Sequence, residues 1–297
     1  MDLLWLYAQA LVDGLLAGVM YSLVALGFVL IFKASGVLNF AQGAMVFMAG
    51  LTFVSLMELG LHPALAGLAT VAVMVALALA VERVVLRPLV NQPPIILFMA
   101  TIGLTFIVEG ATLSVWGSTP KLLELGDPYA AFEVGELYIV YSEFYAAIAV
   151  AALVIALALF FNKTRIGRAL RAVADDHQAA LSVGIPLTTI WVVVWSVAGV
   201  VALVAGIVWG GRLGVQFSLA LLALKALPVL ILGGFTSIPG AIVGGLLVGA
   251  GEKLAEVYMS ETFGLGGVEN FFPYLMAMLF LMVRPQGLFG ERIIERV

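Results

Sequence analysis

Long apolar runs separated by short polar or Pro/Gly-rich breaks recur along the whole chain. About 20 consecutive apolar residues suffice for a helix to cross a bilayer. The pattern predicts membrane segments over residues 10–32, 42–59, 64–81, 95–116, 141–161, 187–209, 217–232, 241–257 and 271–283. Lys33 ends the first, and a tight Gly60–Pro63 turn joins the second to the third. ERVVLRPLVNQPP, residues 82–94, is a polar break with three prolines. Residues 117–140, with Pro120, Pro128 and a run of acids, form the longest non-spanning loop. The seventh segment is short and interrupted by Lys225 and Pro228, so nine crossings and eight crossings plus a re-entrant piece read alike. The expected fold is all-α, a polytopic transmembrane helix bundle of about 8–9 membrane segments in a single domain over 1–297.

Composition narrows the function. The chain is 63% hydrophobic and 11% charged, against about 45–50% and about 25% in soluble domains. That excludes a soluble enzyme, a nucleic-acid binder and a disordered chain. With no cysteine, disulfides, thiolate metal sites and thiol nucleophiles fall away together. His62 and His177 lie in separate loops and cannot build one metal site, and no HExxH or GxSxG occurs. The first apolar stretch lacks a basic n-region and runs too long for an h-region, so it reads as a span and not as a cleavable signal peptide.

Charge sets the orientation. Lys33, Arg83, Arg87, Lys163, Arg165, Arg168, Arg171, Arg284, Arg292 and Arg296, ten of fourteen basic residues, fall on one side of the alternation. The positive-inside rule places that side in the cytoplasm. The N-terminus then faces out, and residues 117–140 are periplasmic.

NKTRIGRALRAVADDHQAALSVGIP, residues 162–186, is too polar to span yet patterned as an amphipathic helix. Arg165, Arg168 and Arg171 recur every third residue, Ile166, Leu170, Val173 and Ala174 line another face, and Gly184 and Pro186 supply a stop. It reads either as a headgroup anchor on anionic lipid or as a small-residue knob, Gln178 to Gly184, that sits in a groove on another protein. No GxxxxGK[ST] phosphate loop is present, so any ATP is hydrolysed on another polypeptide and its energy arrives mechanically.

Within the spans, polar residues are few. Asn39 and Gln42, one helical turn apart, either contact a polar solute or bond neighbouring helices. A lone cation at mid-membrane is unfavourable, so Lys225 snorkels outward, pairs with Glu252 or Glu109, or lines an aqueous vestibule. Gly240 and Gly244 form one small-residue ridge; Ala241, Gly245 and Gly249 form another. They suit the core of the subunit or a seam with a partner. Breaks at Gly233-Gly234 and Pro239-Gly240 flank Ser237 and predict a re-entrant loop beside a path. The rival to an ATP-driven permease is an ion-coupled carrier or a channel.

Five stretches agree in order with one family. GVLNFAQGAMVFMAG (36–50), ERVVLRPLV (82–90), RIGRALRAVADD (165–176), LKALPVLILGGFTSIPGAIVGGLLVG (224–249) and RPQGLFG (284–290) resemble the branched-chain amino acid ABC transporter permeases of the LivH type. Gln42 stands where that family usually has His, Thr236 where Gly is usual, and Gln178 where Glu is usual. The resemblance implies an inner-membrane importer with a second related permease, two cytoplasmic ATPases and a periplasmic solute-binding protein. No cofactor is expected on this chain, ATP and Mg being held by the partners. It also implies ATPase coupling through Arg168, Arg171, Asp175, Asp176, Gln178, Ala179, Ala180 and Gly184. The solute it suggests is leucine, isoleucine or valine, with urea, short amides or aromatic acids as alternatives.

Overall fold

The computed structural model describes residues 3–89, 92–123, 130–175, 180, 182 and 184–290. Helices α1 (Leu3–Ser35), α2 (Gln42–Glu58) and α3 (Pro63–Val81) come first. One π-helical turn, Glu82–Leu86, extends α3, closed by the Arg87 N–H on the Glu82 carbonyl at 2.8 Å. The polar break expected from residue 82 therefore begins about one turn late, because the helix carries through Arg83 by widening its hydrogen bonding. Then follow α4 (Pro94–Trp116), a hairpin of β1 (Ala131–Val134) and β2 (Leu137–Val140), and α5 (Tyr141–Lys163). The chain continues through α6 (Arg165–Asp175), α7 (Leu187–Leu213), α8 (Ser218–Gly233), α9 (Ile238–Phe263) and α10 (Phe272–Val283).

Among the described residues six helices, α1, the extended α3, α4, α5, α7 and α9, are long and apolar enough to cross a membrane. The other apolar helices are shorter: α2 has 17 residues, α8 has 16 and α10 has 12. At about 1.5 Å per residue these reach roughly 18–26 Å, less than the hydrocarbon core of about 30 Å. The chain is an all-α membrane protein apart from its one hairpin.

The non-spanning stretch at 117–140 carries that hairpin. Four-residue strands are too brief to stand out by alternation, and Gly135 at φ +70° supplies the tight turn. It receives the N-terminal end of α1, where Gln9 donates to the Tyr138 carbonyl at 2.8 Å and accepts from the Tyr138 N–H at 2.9 Å. Helix α1 thus starts seven residues before the expected span, and its 33 residues run about 50 Å.

A second correction concerns α8. Lys225 and Pro228 were expected to break it, yet the helix is continuous. Pro removes one N–H and frees one carbonyl, and neighbouring helices stabilise the segment. Before it the chain is tied down, since Val215 and Lys121 exchange backbone bonds of 2.8 and 3.0 Å.

The core is built on α1. Its most apolar stretch is 78% buried inside the chain, against 22% for α4 and α5, whose Phe106, Ile107, Ile155 and Leu159 remain exposed as a lipid face does. Antiparallel to α1 lies α9, and glycines bring the two backbones together. A Cβ on Gly14 would stand 2.6 Å from the Gly249 carbonyl oxygen, and one on Gly18 would stand 2.4 Å from that of Gly245. Gly240 and Gly244 face the other way, against Gly233 of α8. Both ridges of α9 therefore lie against helices of this chain.

Candidate functional site

A chain of polar groups crosses the middle of the bundle where α1, α8 and α9 meet. Glu252 of α9 is 1% exposed, and its Oε1 accepts a hydrogen bond of 2.8 Å from the Tyr21 hydroxyl of α1. On the Tyr21 ring face sits the Lys225 ammonium of α8, 5.9 Å from the ring centroid. Trp209 of α7 stacks against the same ring at 5.4 Å. Lys225 and Glu252 are thus joined through Tyr21, without a direct ion pair. Glu109 forms no ion pair either among the described residues.

The arrangement offers opposite chemistries on the two sides of one aromatic ring. The Glu252 Oε2 atom is buried and has no partner among the described residues, so it is free to accept from a cationic or N–H group. The half-buried Lys225 can donate to an anion, with the quadrupole of Tyr21 offsetting part of its desolvation. Tyr21 and Trp209 did not emerge from the sequence. Tyr21 followed by Ser22 is a polar pair inside an apolar run, the one signal that could have marked it.

Asn39 and Gln42 lie where the connection from α1 turns into α2, and both are fully buried. Asn39 Oδ1 accepts from the Ala41 N–H at 3.1 Å, a local turn, and its amide nitrogen lies 3.6 Å from the Met45 sulfur. Gln42 has no partner for either side-chain polar atom among the described residues. It packs into the space left by Gly27, where a Cβ would stand 2.1 Å from the Gln42 amide nitrogen. Gly27 is eight residues from the end of α1, so α2 begins about 12 Å below that end. The orphan amide is therefore at membrane depth.

Ser237 is the N-cap of α9, its Oγ accepting from the Gly240 N–H at 3.0 Å. The helix starts at Ile238, so SIPG belongs to its first turn. Ser237 also lines a cavity of about 390 Å³ at the basic end of the bundle. It is not brought to Lys225 and Glu252, which sit further along α8 and α9.

At the same end α6 lies across the terminus of α5. Thr164 caps it, accepting from the Gly167 N–H at 2.9 Å, and Gly167 is pressed so close that a Cβ would stand 2.3 Å from the Phe161 carbonyl oxygen. Leu170 and Val173 are buried, whereas Arg165, Arg168 and Arg171 are exposed. Ile166, expected on the apolar face, is 38% exposed. Further on, the Ile185 N–H reaches the carbonyl of buried Ala180 at 3.0 Å around Gly184, whose φ is +83°. This is the bonding of a glycine-terminated helix stop. Asp176, Gln178 and Ala179 lie outside the described residues, as do Arg292 and Arg296. Asp175 ends α6.

Comparison with known proteins adds the family. The sequence model described as branched-chain amino acid transport system / permease component matches residues 10–283. The chain is similar to the high-affinity branched-chain amino acid transport system permease protein BraD of Pseudomonas aeruginosa, 30% identical with 98% of each chain covered. It is also similar to the corresponding LivH protein of Escherichia coli K12, 27% identical with 98% of each chain covered. Among solved structures, PsaBC from Streptococcus pneumoniae in complex with Fab aligns with a TM-score of 0.45 and 14% identity over 91% of this chain and 89% of that one. With most of its length matched, this chain belongs to the family of branched-chain amino acid ABC transporter permeases.

Proposed function

We propose that the chain is the membrane-spanning subunit of an ATP-driven importer that carries branched-chain amino acids, or a related small polar solute, across the bacterial inner membrane. In this reading it is one permease unit over its whole length. It works with a second related permease, two cytoplasmic ATPases that hold ATP and Mg, and a periplasmic binding protein. In this reading the six long helices and the shorter α2, α8 and α10 make up eight or nine membrane segments, the three shorter ones reaching only part of the way.

The observation that carries the reading is α6. It is a short helix with two buried apolar anchors and three exposed arginines, at the basic end of a chain that has no phosphate-binding loop. Such an element transmits force from a partner. Arg168, Arg171, Asp175, Asp176, Gln178, Ala179, Ala180 and Gly184 form the surface that the ATPases engage. Solute passes the groups at membrane depth. Glu252 accepts from its ammonium or amide end, Lys225 attracts its carboxylate, and Gln42 and Asn39 lie where the path enters α2. Ser237 stands at its basic end.

The buried carboxylate also suits a second reading, an ion-coupled carrier. Reconstitution into liposomes separates the two. The chain reconstituted with its partner permease, its ATPases and the binding protein takes up solute on ATP addition and stays inert under an ion gradient alone. Uptake by the isolated chain under an ion gradient would overturn the importer reading.

A further inference from the structure

Among the described residues the ion pairs are Lys121 with Glu58, Arg212 with Glu143 and Lys253 with Glu269, and all lie away from α6. Lys33, Lys163, Arg165, Arg168 and Arg171 face no carboxylate among them. Among the described residues these basic side chains therefore stand without ion pairs, and in one place they border a cavity.

The cavity of about 390 Å³ is cut between the ends of α1 and α5, the face of α6 and the start of α9. Lys33, Asn162, Arg171 and Ser237 contribute its polar lining. Lys33 is two residues from the end of α1 and Asn162 one residue from the end of α5, which sets the opening at headgroup level. Arg171 Nη1 donates to Asn162 Oδ1 at 3.1 Å, which steadies the guanidinium at the cavity. Ser237 accepts from Gly240 and keeps its own proton to donate. Among the described residues no Asp or Glu lines the cavity, and Leu30, Phe161, Leu170 and Phe289 make it apolar inside. Cations and donors next to hydrocarbon are complementary to a phosphate ester bearing an alkyl chain. A free, strongly hydrated anion would have to shed water against those apolar walls with nothing gained.

We propose that this cavity is a binding site for one acidic phospholipid. Its phosphate engages Lys33, Arg171 and Ser237, and the start of an acyl chain lies against Leu30 and Phe161. The bound lipid ties α6 to α1, α5 and α9. Its consequence for transport, a restraint on the swing of α6, rests on the importer reading; the binding itself does not.

Native mass spectrometry of the purified full chain in neutral detergent tests the binding directly. Titration with phosphatidylglycerol retains one lipid per chain, with a preference of about ten-fold over phosphatidylcholine. The double variant Lys33→Gln/Arg171→Gln lowers retention about ten-fold, and Ala158→Phe, which fills the apolar part and leaves the charges, lowers it comparably. Arg165→Gln, outside the cavity, keeps it. Equal retention of the two lipids, undiminished retention in both cavity variants, or an equal loss with Arg165→Gln would each overturn the proposal. Displacement of the lipid by millimolar inorganic phosphate would overturn it too, by assigning the site to a free anion.

Discussion

The Tyr21 hydroxyl lies 2.8 Å from Glu252 Oε1, the one hydrogen bond that this buried side chain makes among the described residues. Tyr21→Phe removes it and leaves a carboxyl group with no partner in the bundle. Loss of about 1–3 kcal/mol of stability is expected, as for other buried groups stripped of a partner. Adding Glu252→Gln to Tyr21→Phe restores part of that loss, because the neutral amide is easier to bury than a carboxylate. Thermal melts of the wild-type chain and the two variants in one detergent read the order.

The glycine seam between α1 and α9 predicts a contrast between two glycines. Gly249→Ala puts a methyl group 2.2 Å from the Gly14 carbonyl oxygen and 2.5 Å from the Gly18 backbone. Overpacking of that kind costs about 1–3 kcal/mol. Gly103 of α4 has nothing within 4 Å of its Cβ position, so Gly103→Ala is neutral or stabilises by about 0.5–1 kcal/mol. Melting temperatures that move together for both variants would contradict the backbone contact.

Gln42→Met is expected to separate stability from function. Methionine has nearly the same length and removes two buried polar atoms that lack partners among the described residues. Stability rises by about 1 kcal/mol or more, while uptake by the assembled transporter falls if the amide meets solute. A variant that is both more stable and fully active would take Gln42 out of the path.

Gly184→Val tests coupling. Gly184 has φ +83° with open space around it, so the substitution strains the turn without any clash. In reconstituted vesicles ATP hydrolysis persists while uptake falls about ten-fold, and membrane insertion is unchanged. Uptake at the unaltered level would refute the role given to this turn.

Most spans were legible because lipid imposes a crude rule, a long apolar run ended by charge. The runs at 42–59, 95–116 and 271–283 differ from their helices by one residue at one end, as does that at 64–81 before its π turn. Local exceptions were not legible. The π turn at Glu82–Leu86 and the continuity of α8 through Pro228 depend on how neighbours satisfy the backbone. The hairpin at 131–140 is set by its contact with Gln9, well over a hundred residues away. Lys225 and Glu252 stood out as charges in apolar stretches. That a tyrosine from α1 lies between them is a fact of tertiary packing, invisible to any periodicity.

The close approach of α1 and α9 has a mechanical consequence. Where carbonyl meets glycine with no side chain between, there is no cushion to compress and little freedom to slide. The pair acts as a keel, held near the start of α1 by the grip of Gln9 on the hairpin. In the importer reading, any alternation between outward and inward openings pivots around this rigid spine, with α4 and α5, whose faces stay mostly exposed, at its periphery.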